Sequence, residues 1–337
     1  MASFILRRLM LQIFVLFGLS LLTFVLMFYL PGDPAASLAV SSGSALSRDT
    51  VEMFRERWGL DRPFHEQYLT YVGNILRGNL GMSLATNRPI VDELRMFFPA
   101  TLELALAACL IAFVAGVPAG IMSAVWRNSW IDHTVRVISL FGVSMPIFWV
   151  AILCLYLFYF QLGWFPAAQR IGLTMSPPPT VTGLYTVDSI FAGDWQLLRV
   201  SLHHLILPSA LLAFSAVGLI ARITRGSMLE VLSTDYVRTA RAKGLPQAAV
   251  LFRHALRNAM IPTMTALGLL IGSLLSGAVL TETIFAWPGI GRFAVQSIFA
   301  LDRPVVIAVT LLIGVVYSFV NLGVDIIVAY LDPRVTY

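Results

Sequence analysis

The chain has 337 residues, 58% of them hydrophobic and only 12% charged, with a mean hydropathy of +0.81 and a formal net charge of +5. Soluble domains carry about a quarter charged residues, so this composition excludes an ordinary soluble enzyme and places the chain in a membrane. The positive charge accompanies no groove-reading or base-stacking motif, which excludes nucleic acid as a partner and points to basic loops at one membrane face.

A helix needs about 20 apolar residues to cross the hydrocarbon core, because its backbone groups must be satisfied within the segment. Six stretches meet that requirement, 9–30, 104–125, 137–160, 205–221, 259–281 and 305–324, and none contains Asp, Glu, Lys or Arg. The expected fold is all-α, a polytopic bundle of six transmembrane helices. The first stretch follows Arg7 and Arg8, as in a signal peptide. It is too long for that role, and Pro31-Gly32-Asp33-Pro34 follows without a small-residue cleavage site, so it reads as a retained anchor.

Residues 31–99 mix acidic and basic residues with Trp58, Phe64, Tyr68 and Tyr71, the pattern of a small folded helical module. Asp49 followed by Glu52 marks a helix start. His65-Glu66 opens a zinc-protease pattern, but Leu69 stands where the second His belongs, which ends that reading. Two carboxylates, Glu103 and Asp325, fall near span ends and fit either an intramembrane role or interfacial pairing. Cys109 and Cys154 lie in apolar runs and read as inert thiols, with no disulfide or metal framework. The loop 163–202 contains Pro177-Pro178-Pro179, which forbids a regular helix there. His203 and His204 follow it and fit either metal ligation or packing at the membrane edge.

Small residues recur at four-residue spacing in two spans: Gly116 and Gly120 in the second, Gly268, Gly272 and Ser276 in the fifth. The fifth-span set fits either a face on a translocation path or close helix packing. After it, Glu282 precedes Trp287-Pro288-Gly289, read as a rigid turn with an exposed aromatic.

The stretch 222–260 is long for a connector yet helical in composition. Asp235 through Lys243 form one short helix, Gly244 a tight turn tolerant of positive φ, and Pro246 the first turn of a second short helix over 247–258. With the N-terminus inside, this stretch and the other inside segments hold 12 Lys and Arg, whereas the two short outside loops hold four, Arg170, Arg199, Arg292 and Arg303. That asymmetry puts both termini in the cytoplasm.

Tyr236-Val237-Arg238-Thr239-Ala240-Arg241-Ala242-Lys243-Gly244-Leu245, with His254 through Ala259, closely resembles the cytoplasmic coupling loop of binding-protein-dependent ABC importers of type I. The wider family's loop reads Glu-Ala-Ala, three residues, Gly. Here Arg238 and Thr239 replace the first two positions while Ala240 and Gly244 match, and Arg257 stands where a later proline would be. These departures resemble the peptide, nickel and glutathione branch. So do Pro31-Gly32-Asp33-Pro34, Ala100-Thr101-Leu102-Glu103-Leu104, Glu282 through Arg292, Asn321 through Asp325 and Asp332-Pro333-Arg334. The segment Thr182 through Asp188 looks most like dipeptide permeases.

The resemblance implies a chain divided into a first helix (1–30), a periplasmic module (31–99), a transmembrane domain (100–330) with its coupling loop at 222–260, and a cytoplasmic tail (331–337). It implies a bacterial inner-membrane permease subunit for dipeptides or oligopeptides, with nickel or glutathione as alternative solutes. The implied partners are a second homologous permease, two cytoplasmic ATPases, a periplasmic solute-binding protein and membrane lipid. Arg238, Thr239, Ala240, Arg241, Lys243, Gly244 and Leu245 would couple to the ATPases. Glu282, Trp287, Pro288 and Gly289 would form an outer gate or binding-protein contact. The chain lacks a Gly-x-x-x-x-Gly-Lys-[Ser/Thr] phosphate loop. It is thus expected to hold no cofactor and not to be an enzyme, with ATP and Mg bound by the ATPases. A secondary transporter or channel explains the six spans but not the coupling loop.

Overall fold

The computed structural model of the chain describes residues 2–29, 52, 62–172 and 174–331. The expected features at Pro31–Pro34, Asp49, Trp58 and Asp332–Arg334 lie outside the described residues.

Helix α1 (Ala2–Tyr29) is apolar around most of its circumference and contains the first candidate span. Helix α2 (Phe64–Leu76) has no buried residue of its own. It lays an aromatic face along α1 instead: Tyr68 and Tyr71 place their hydroxyls 2.8 and 3.1 Å from those of Ser20 and Thr23, and Phe64 packs edge-on against Phe24. Helix α2 therefore leans on the first span for its burial.

Helices α3 (Ile90–Val125) and α7 (Trp195–Leu232) form the spine, and their interface is the most extensive in the molecule. Along α3, Ala100, Leu104, Ala108, Ala112, Gly116, Gly120 and Ala124 recur every four residues and are all buried, one stripe on one face. The two helices run parallel. A Cβ on Gly116 would lie 3.0 Å from Ile220, and one on Gly120 would lie 2.6 Å from the Ala221 carbonyl and Thr224. Lipid supplies no hydrophobic drive between helices, so this close backbone approach, with its dispersion contacts, holds the pair together.

The third expected span is not one straight helix. It breaks into α4 (Trp130–Ser144) and α5 (Ile147–Cys154, continued by the π-helical Leu155–Gln161), with a 104° bend between them. Pro146 lacks an N–H and drives the residue before it out of the helical region; Met145 accordingly sits at φ −81°, ψ 135°. Among the described residues, five helices are long and apolar enough to span, and six if this bent pair counts as one.

After α6 (Tyr185–Phe191), the fourth expected span turns out to be part of the 38-residue α7, so His203 and His204 lie within a helix. Helix α8 (Asp235–Ala242) follows as expected. The second short helix expected over 247–258 is not separate. Gln247–Ala249 and the π-helical Val250–Ala255 run directly into α9 (Leu256–Gly277), the fifth span. Short helices α10 (Val279–Ile284) and α11 (Ile290–Phe299) lead to α12 (Arg303–Leu331), which packs on both α9 and α1.

Candidate functional site: an exposed turn and two buried polar clusters

Helix α8 ends in the hydrogen-bond pattern of a Schellman cap. The Leu245 N–H donates to Ala240 O at 3.4 Å, the Gly244 N–H donates to Arg241 O at 2.9 Å, and Gly244 takes φ +75°. An added Cβ at Gly244 would meet nothing within 4 Å, so glycine is required here by conformation and not by space. Val237, Ala240 and Val250 are buried together under the turn, and Tyr236 Oη accepts from Asn258 Nδ2 at 2.7 Å. That small core stiffens the knob and turns Ala240 inward. Arg238, Thr239, Arg241, Lys243, Gly244 and Leu245 all face outward. Arg238 has only an exposed pair with Asp235 at 3.3 Å, and Arg241 and Lys243 have no ion-pair partner among the described residues.

Two turns before α7 ends, a buried cluster grips the helix that carries this knob. The Asp132 carboxylate, fully buried, accepts from Arg225 Nε and Nη2 at 2.8 and 2.9 Å, from Ser123 Oγ at 2.6 Å and from the Asn128 N–H at 3.0 Å. Four acceptor interactions satisfy a charge that would otherwise be costly to bury. The cluster joins the end of α3, the start of α4 and α7, while Thr224 and Thr263 hydroxyls at 3.1 Å tie α7 to α9. Sequence reasoning counted Arg225 only as a topology charge and did not single out Asp132.

A second cluster lies about 33 Å away along the axis of α3, about three turns in from its start, taking Thr101 to Ser123 at 1.5 Å per residue. There Glu103 and Arg170, 5% and 4% exposed, pair at 2.5 Å. Arg170 also donates to Gly183 O at 2.9 Å and stacks 3.5 Å over the Tyr185 ring, while the Thr186 N–H and Oγ1 donate to Glu103 at 2.8 and 2.7 Å. Alongside, Thr101 Oγ1 donates to Glu282 Oε1 at 2.6 Å, and the Arg292 N–H donates to Glu282 Oε2 at 2.8 Å. Burial pushes the Glu282 carboxyl up from its ordinary value, opposed by those two donors and the Gly291 N–H. Gly289 and Gly291 allow the chain to wrap this carboxylate, since a Cβ on either would strike it.

Trp287 belongs to this cluster and is not the exposed aromatic expected at the turn. It is 1% exposed, and its indole N–H donates to Ala100 O at 2.8 Å, which supplies the buried partner that a tryptophan needs. Pro288 is half-buried and Gly289 buried. The structure thus brings together Ala100–Glu103, Arg170 with Thr182–Thr186 in one loop segment, and Glu282–Arg292, three segments distant in sequence.

Gly268 and Gly272 face α12: a Cβ on Gly268 would strike Val324, and one on Gly272 would lie 2.7 Å from the Tyr317 ring. Between the two readings of these glycines, the geometry is that of helix packing. Ser276 lies further along the same helix. Asp325 pairs with Arg8 at 2.9 Å, and Gln12 Nε2 donates to Ser318 at 2.6 Å beside it, pinning α1 to α12. The His203 and His204 rings donate to the Trp164, Ala168 and Gln169 carbonyls, which anchors the loop after α5 on α7.

Comparison with known proteins accords with this architecture. Residues 116–337 match the family described as the binding-protein-dependent transport system inner membrane component, and residues 1–105 match its N-terminal companion. The probable D,D-dipeptide transport system permease of Escherichia coli K12 is 46% identical over 96% of this chain and 94% of its own length. The di/tripeptide transport system permease of Pseudomonas aeruginosa is 47% identical over 99% of each chain, and the dipeptide transport system permease of Alkalihalophilus pseudofirmus is 43% identical over 100% of each. The chain is therefore a multi-pass membrane permease that belongs to the family of binding-protein-dependent transport system inner membrane components.

Proposed function

We propose that this chain is one of two permease subunits of an ATP-driven importer that carries dipeptides or short oligopeptides across the bacterial inner membrane. The relatives named for di- and tripeptide transport, matched over nearly their whole length, support the peptide solute. One structural observation carries the mechanism: a Schellman-capped knob, stiffened by its own core, that turns Arg238, Thr239, Arg241, Lys243 and Leu245 outward. In this reading those residues dock in a groove on an ATPase subunit that binds the ATP and Mg. Ala240 acts from beneath, as part of the knob's core. The Asp132–Arg225 grip then passes the knob's displacement into α3, α4 and α7. At the other end, Glu282, Trp287, Pro288 and Gly289 form part of a rigid seat for the periplasmic binding protein.

This reading places the knob and both termini in the cytoplasm, with 31–99 and 163–202 outside. Cysteines at Ser233 and Val181, both exposed, are expected to react with an impermeant thiol reagent from opposite sides; labelling of both from one side contradicts the orientation. The solute is tested by uptake of labelled Ala-Ala in cells lacking the chain and in cells with it restored. Restoration of Ala-Ala uptake supports the peptide reading, whereas restoration of glutathione or nickel uptake alone replaces it.

A further inference from the structure

The break between α4 and α5 leaves main-chain groups without partners. The Met145 N–H donates to Phe141 O at 3.1 Å, and the Trp149 and Val150 N–H groups donate to Pro146 O. Pro146 has no N–H to return to Gly142, and the carbonyls of Gly142, Val143 and Ser144 accept no backbone hydrogen bond among the described residues. The Ser144 hydroxyl and the Trp149 indole N–H have no partner among them either.

This break lies at mid-depth. Gly142 abuts the Phe214 carbonyl, with a Cβ 2.8 Å away, and Phe214 is halfway along α7. Its surroundings are open: Phe141, Val143 and Phe148 are 51%, 51% and 50% exposed, and Ser144 and Pro146 are exposed as well. In hydrocarbon, each orphan carbonyl would cost several kcal/mol. Irregular backbone at this depth persists only where protein buries it or where it lines a water-filled cavity. An apolar partner surface would leave the carbonyls just as unsatisfied as lipid does.

We propose that the Ser144–Met145–Pro146 break lines the solute path and that its free carbonyls receive the N–H groups of the passing solute. The α-ammonium of a peptide is the foremost of these, because the C-terminal end of a helix carries a partial negative charge. The identity of the solute rests on the peptide-importer reading; the water-lined break does not.

The test uses the assembled importer in membranes, with Cys109 and Cys154 replaced by Ala and a single new cysteine introduced. Ser144→Cys is expected to react with a charged methanethiosulfonate more than an order of magnitude faster than Phe14→Cys on the outer face of α1, since only a hydrated thiol ionises. Solute undergoing transport is expected to slow that reaction severalfold. Met145→Cys serves as a second position if Ser144→Cys fails to assemble. Reaction at both break positions as slow as at Phe14→Cys overturns the proposal, as does fast reaction that no transported solute slows. Uptake of Ala-Ala and of glutathione is measured in the same membranes. If only glutathione enters and glutathione protects, the proposal stands while the peptide solute falls.

Discussion

The two polar clusters along α3 differ in what lies beyond them. At the Glu103 end, the three buried charged groups of the cluster, Glu103, Arg170 and Glu282, are all partnered: Glu103 with Arg170 and Thr186, and Glu282 with Thr101 and the start of α11. Near the other end, the Asp132 carboxylate is likewise buried and partnered, but the knob beyond it leaves Arg241 and Lys243 exposed and without ion-pair partners among the described residues. A saturated polar cluster fixes three segments in one arrangement and has nothing left to offer a partner. Unpaired exposed cations on a stiff helix end contribute little to the fold and remain available for docking. One end is built to hold its shape, and the knob keeps outward the charges that the proposed docking would use.

Breaking the saturated end should have the largest effect. Glu103→Ala strands the Arg170 guanidinium in a buried site and is expected to cost about 3–5 kcal/mol. Trp287→Ala empties a buried pocket and removes the indole hydrogen bond to Ala100 O, again at about 3–5 kcal/mol. Both variants should lose membrane abundance and melt earlier in detergent; wild-type abundance and melting would contradict a closed cluster. At the knob, Gly244→Val places a β-branched residue at φ +75° and should cost about 1–3 kcal/mol locally. Gly244→Asn should cost less, because asparagine tolerates the left-handed region and the site is open. Both should insert at wild-type levels, as quantified by membrane blotting. The smallest effect belongs to Arg241→Ala: one exposed charge contributes under about 1 kcal/mol, so uptake should fall slightly and the deficit should shrink as salt rises.

Much of this was legible in the sequence, and the gaps have physical causes. The apolar runs and the Gly244 turn were readable because helix length, apolar content and positive φ leave local marks. The break at Pro146 was not distinguished from a continuous span. Pro99, Pro118, Pro208 and Pro262 all lie inside helices here, so a proline alone does not decide between a kink and a break. Trp287 was misjudged because its neighbours Pro288 and Gly289 describe a turn but not what the turn packs against. The pairings that bury it, Ala100 with Trp287 and Thr101 with Glu282, span more than half the chain. The motifs at both ends of those pairings were noticed, yet one sequence cannot say that they touch. Arg170 and Arg225 were counted as loop charges; Glu103 was noted without its partner, and the pairings with Glu103 and Asp132 became visible only in three dimensions.

The central claim, that the knob at Gly244 couples this permease to ATP hydrolysis, is tested most directly by measuring ATPase copurification, ATP turnover and peptide uptake in the same membranes for wild type, Gly244→Asn and Gly244→Val. The account predicts that Gly244→Val is present at normal abundance but loses uptake, with ATPase subunits lost from the complex or hydrolysing ATP without transport, and that Gly244→Asn retains most of both activities. Wild-type uptake by Gly244→Val, at equal abundance, would contradict it.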